Sequence, residues 1–135
     1  MKVKHLLIIS AFVLFVFGIG FLVAPTWSME LFGITIAVEG VLLTQLLAAT
    51  FLGFGVLNWV GRNYAVPEDV RPLILANFVE STIGFIVILY HKLNGVGNEW
   101  CWVPIALYLL FALAFAYSIL VKSTYEEPTV RMKHA

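Results

Sequence analysis

Asn77, Glu80, Ser81, Gly84 and His91 recur at spacings that, at about 100° per residue of an α-helix, gather them on one face roughly 100° wide. A carboxamide, a carboxyl, a hydroxyl and an imidazole so arranged could accept a proton, bind a donor, or hold a neighbouring helix. Glu80 dominates the set, because it stands about ten residues inside an apolar run from Val70 to Leu93. An acidic side chain at that depth in lipid costs on the order of 3 kcal/mol even on a lenient insertion scale. No Lys or Arg inside the apolar runs can offset it. Arg71, on the same helix, is roughly 13 Å away along the axis. Glu80 is therefore expected to be protonated, hydrogen-bonded by neutral donors, or facing water.

A second apolar run, travelling the opposite way, should bring Gln45 to Thr50 near the depth of Glu80, and Tyr108 of the last run should lie at a comparable level. The expected cluster is Glu80, Asn77, Gln45 or Thr50, and Tyr108. Two readings of it stand. In one it is an interhelical lock worth about 0.6 kcal/mol per hydrogen bond. In the other Glu80 is a proton-accepting or ligand-binding carboxyl, the default reading of an acid inside a membrane.

Other chemistry finds little purchase. His91, Glu99 and Cys101 have the residue types of a metal site, but their spacing matches no zinc motif. No Gly-rich phosphate loop, helical His pair, Cys pair or Ser/His/Asp set is present, so no metal or other cofactor is expected. Eight Lys plus Arg balance eight Asp plus Glu, which leaves no basic field for nucleic acid.

The elements that must position these residues follow from composition. The chain has 135 residues, of which 61% are hydrophobic and 12% charged, and a mean hydropathy of +0.97. One soluble domain of that size could not bury so many apolar side chains. Four runs reach the roughly 20 residues needed to cross a hydrocarbon core: His5 to Ala24, Ile36 to Val60, Val70 to Leu93, and Trp100 to Val121. Lipid offers no partner to free peptide groups and no period-2 alternation is present, so each run should be a helix. The expected fold is all-α, an antiparallel four-helix transmembrane bundle over residues 1–121, with a polar, solvated and largely unstructured tail over 122–135.

Lys2, Lys4, Arg62, Arg71, Lys122, Arg131 and Lys133 fall on one side of such a bundle and only Lys92 on the other. The positive-inside bias then makes both termini cytoplasmic. Trp27, Tyr90, Trp100 and Trp102 belong at the outer interface, with Trp59, Tyr64 and Tyr117 near the inner one. Pro25 should end the first helix, and the segment after it should lie along the outer interface as an anchor or lid. Pro67, Glu68 and Asp69 suit a helix start, and Pro72 is near enough to that start to be tolerated. Arg62 and Arg71 are expected to meet lipid phosphates. Gly20 with Ala24, Ala49 with Gly53, and Ala112 with Ala116 have the small-residue spacing that lets helix backbones approach in lipid.

The Gly18-Ile19-Gly20 ending of the first run, Pro25, the Leu31-Phe32-Gly33 step, and Gly53-Phe54-Gly55-Val56-Leu57-Asn58-Trp59 leading to Arg62 give the chain a recognisable layout. It resembles small uncharacterised four-span integral membrane proteins of bacteria and archaea, a resemblance that implies a four-helix fold and no activity. Small multidrug exporters are similar in length and span count, but their working carboxylate lies in the first span, which holds no acid here. Sterol-isomerase-like proteins use more polar residues around a lipid pocket than the Glu80 and Asn77 found here.

The function expected from these features is a non-enzymatic accessory, scaffold or binding component of a prokaryotic cytoplasmic (inner) membrane. It would self-associate or dock on a larger membrane complex within the lipid bilayer. The alternative is a protein that binds a lipophilic small molecule, or a small proton-coupled transporter, using Glu80. An intramembrane lipid-modifying enzyme is the third reading.

Overall fold

The computed structural model describes residues 2–64 and 67–133, without the side chains of 67 and 122–133. The described residues are helical, with no strand among them: α1 Val3–Val23, α2 Pro25–Leu31, α3 Val38–Gly61, α4 Pro67–Leu93, a 3-10 turn Glu99–Cys101, and α5 Trp102–Lys133. α1, α3, α4 and the span from Glu99 to Val121 are long and apolar enough to cross a membrane. No more than a third of any span is buried within the chain. Such outward apolar surface is untenable in water and ordinary against acyl chains. The four spans thus point to an integral membrane protein.

The helices begin and end where local chemistry dictates. Pro25 stands at the first position of α2, where its missing N–H removes only an orphan donor. The Ser28 hydroxyl donates to the Gly20 carbonyl at 3.0 Å, stitching α2 back onto the open end of α1. Gly33 has φ +72°, so the step out of α2 uses a conformation that other residues rarely adopt. Glu68 and Asp69 occupy the first turn of α4, where acids favour the positive end of the helix dipole. α4 starts at Pro67, ahead of its apolar run, and continues through Pro72 at the loss of one backbone hydrogen bond.

One expectation needs correction. The polar tail is not unstructured from Lys122: the last helix continues to Lys133, beyond the apolar run that marks its span. Lys122, Glu126, Glu127, Arg131 and Lys133 are good helix formers, and the helix passes through Pro128 with the loss of one backbone hydrogen bond. The side chains of Lys122, Arg131 and Lys133, and residues 134–135 entirely, lie outside the described residues. Arg62 also has a partner within the chain. Its guanidinium lies 3.6 Å from the centre of the Trp59 ring and donates to the Trp59 carbonyl.

Packing divides the bundle into two pairs, α1 on α3 and α4 on α5, with sparse contact between the pairs. The first pair meets through glycines. A Cβ at Gly18 would come within 2.8 Å of Leu52, and one at Gly55 within 2.9 Å of Phe15. Each Gly-x-Gly sequence therefore turns one glycine toward the partner helix. The Ala49/Gly53 stripe expected to make contact is exposed instead, with open space around Gly53. In the second pair Gly84 makes the close approach, since a Cβ there would lie 2.6 Å from the Tyr108 ring.

The pairs are joined at their two ends. At the end bearing the N-terminus, Val3, Leu6 and Leu7 pack with Val70, Ile74 and Phe115. At the α2 end, Phe21, Ala48 and Phe51 form a core with Phe17, Met29 and Phe32 against it. There the Asn98 backbone N–H donates to the Phe32 carbonyl at 2.8 Å and its carboxamide to the Leu31 carbonyl at 3.0 Å. The chain link between α4 and α5 is thereby fastened to the link between α2 and α3.

Candidate functional site

Between the joined ends the two pairs stand apart around a partly open cavity of about 560 Å³. α4 turns Glu80, Ser81, Gly84, Ile88 and His91 toward it; α5 adds Leu107, Tyr108 and Phe111, and α1 adds Leu14, Phe17 and Phe21. The face of α4 read from helical spacing is thus the cavity wall, with Asn77 as its exception. Most of the lining is aliphatic or aromatic, so the few polar groups stand out. One Glu80 carboxyl oxygen accepts a hydrogen bond from the Ser81 hydroxyl at 3.3 Å. Among the described residues no cation pairs with Glu80.

Asn77 is buried beside the cavity in a network the sequence reading missed. Its carboxamide and that of Asn58 exchange reciprocal hydrogen bonds, each 2.8 Å long. Asn58 donates its second N–H to the Ser10 hydroxyl at 2.9 Å, and Asn77 its second to the Leu73 carbonyl at 2.8 Å. Asn58 is 0% exposed and Asn77 1%, yet every carboxamide N–H has an acceptor, which makes burial in a low-dielectric interior tolerable. The network ties α1, α3 and α4 together, and Ser10 also reaches the cavity.

The structure therefore brings Glu80 and Tyr108 to one cavity, places Asn77 in the network beside it, and leaves Gln45 and Thr50 out of both. Gln45 donates to the Leu22 carbonyl at 3.1 Å, satisfying one of the acceptors left open at the end of α1. Thr50 is exposed and donates to the Leu46 carbonyl of its own helix at 3.2 Å. The α3–α4 pairing runs through Asn58 and Asn77, and a Cβ at Gly61 would collide with Leu73. That register carries Gln45 and Thr50 beyond Glu80 by one to three helical turns. Asn58 could have been found by the rule that singled out Asn77, since it too is a carboxamide inside a spanning run.

At the α2 end, Lys92 forms an ion pair with Glu99 at 3.3 Å and lies 5.9 Å from the Trp102 ring centre. Cys101 is buried, with its thiol 3.4 Å from the Phe32 carbonyl. Glu99 and Cys101 thus have separate partners, while His91 contacts the ring of Tyr90. No protein-family model, curated protein or solved structure matches the chain.

Proposed function

We propose that this chain is a non-enzymatic binding component of a prokaryotic inner membrane, an antiparallel bundle with both termini cytoplasmic, that holds a lipophilic small molecule between its helix pairs. The cavity carries this reading. Its volume falls within the range of about 300 to 1,000 Å³ typical of small-molecule sites, and its wall is apolar with a few polar groups. Support for the antiparallel arrangement comes from the pairings. Ser10, Phe15 and Gly18 meet Asn58, Gly55 and Leu52 in descending order. Val70 and Ile74 pack near Phe115 while Gly84 meets Tyr108. The Lys and Arg distribution supports the orientation.

A photoactivatable diazirine on an apolar carrier tests the binding reading. Its adducts should concentrate on Leu107 and Phe111 of the cavity rather than on Leu43 and Leu110, which are exposed on the outer surface. Adducts confined to the outward positions would refute it. Orientation is tested with single cysteines in a Cys101→Ala background, because Cys101 itself is buried. A membrane-impermeant maleimide should label Glu30→Cys in intact cells and reach Asn63→Cys only after the membrane is opened; the reverse pattern would invert the topology.

A second reading, a proton-coupled transporter, draws on the placement of Glu80 in the cavity wall, where a carboxyl could exchange a proton as cargo enters. Self-association is compatible with either function. The exposed Ala49/Gly53 stripe supplies the small-residue surface through which spans pack in lipid.

A further inference from the structure

We propose that the cavity selects an amphiphilic amine, an apolar body whose nitrogen head sits against the Glu80 carboxyl. The inference rests on the binding reading above and names the ligand class. In a bilayer the competing occupants are lipid tails as apolar as the cavity wall, so the wall alone discriminates little. Discrimination falls to the polar groups. Glu80 is the acid of the cavity, and among the described residues Ser81 supplies the one hydrogen bond to its carboxyl. That leaves acceptor capacity for an N–H donor. An ammonium adds charge pairing, which is strong where water is scarce.

The remaining lining fits the same head. Of the aromatic rings that line the cavity, those of Tyr108 and Phe111 stand nearest the level of Glu80, since Gly84, one turn along α4, meets Tyr108, and ring faces attract cations. Phe17, Phe21, Phe32 and Phe51 line the α2 end, where the apolar body would lie. The cationic and titratable groups at the other end of the cavity are Lys92 and His91. They lie roughly 16 to 18 Å along α4 from Glu80, and Lys92 is already paired with Glu99. An amine head at Glu80 is therefore spared close repulsion, while an anionic head would find its nearest cation engaged.

Dodecyldimethylamine, dodecanol and dodecanoate share one alkyl chain and differ in the head. Saturable binding of each is measured by equilibrium dialysis against nanodiscs holding the full chain, with empty nanodiscs of the same phosphatidylcholine subtracted. The amine should bind at least about tenfold more tightly than dodecanol, a difference of about 1.4 kcal/mol, and dodecanoate more weakly than both. Glu80→Gln, verified as helical by circular dichroism, should bring the amine down to the level of dodecanol. If Glu80→Gln does not fold, the ratio of amine to dodecanol on the unmodified protein still decides. Equal binding of amine and dodecanol, or tightest binding of dodecanoate, overturns the ligand class and leaves the cavity reading standing. No saturable binding of any of the three overturns both.

Discussion

Asn58→Leu is expected to destabilise the bundle by about 2 kcal/mol, measured by thermal or denaturant unfolding in a fixed detergent. The substitution deletes the bond to Ser10 and both reciprocal bonds to Asn77. At about 0.6 kcal/mol each, the average for interhelical bonds in a membrane protein, these amount to about 2 kcal/mol. The change also strands the Asn77 carboxamide, 1% exposed, among apolar neighbours, and an unpaired buried polar group is itself costly. Asn77→Leu should cost a similar amount for the mirrored reason. The double variant should cost clearly less than the two singles added, because no orphaned carboxamide remains. Additive costs, or an Asn58→Leu protein as stable as the parent, would show that the network does not hold the helix pairs together.

Bulk on both walls of the cavity should remove ligand binding. Leu14 on α1 and Leu107 on α5 line it from opposite helix pairs. Leu14→Trp with Leu107→Trp places two indoles in that space, and the expected loss of affinity is at least about tenfold, or 1.4 kcal/mol. Neither residue belongs to the fully buried core, so the helices should form as before. Unchanged circular dichroism together with lost binding is the predicted combination. Unchanged binding would place the ligand on the lipid-facing surface instead.

The spans were legible because a membrane imposes one simple requirement, about 20 apolar residues per helix. Their ends were less so. The start of α4 was signalled by Pro67, Glu68 and Asp69 rather than by hydropathy, and the last helix outlasts its apolar run to reach Lys133. The face of α4 that lines the cavity was also legible, since helical spacing alone gathers Glu80, Ser81, Gly84 and His91. The partners of that face were not. Matching depths between two spans depends on how far each enters the loop that joins them, and an error of about one to three turns put Gln45 and Thr50 where the neighbourhood of Asn58 belongs. The glycines show the same limit at finer scale. The sequence marks Gly18, Gly20, Gly53 and Gly55 as able to admit a neighbour, but only packing decides that Gly18 and Gly55 do so.

The cavity was beyond the sequence altogether. It exists because the helix pairs touch at their ends, through Leu7, Ile74 and Phe115 on one side and the Asn98 bonds to Leu31 and Phe32 on the other. Each tie is a tertiary contact between residues far apart in the chain.

Native mass spectrometry of the protein released gently from its own membrane tests the binding claim most directly. The account predicts a stoichiometric small-molecule adduct on the parent chain and its loss from the Leu14→Trp, Leu107→Trp variant. A parent chain that emerges without bound lipophile, giving the same spectrum of adducts as the variant, would contradict it.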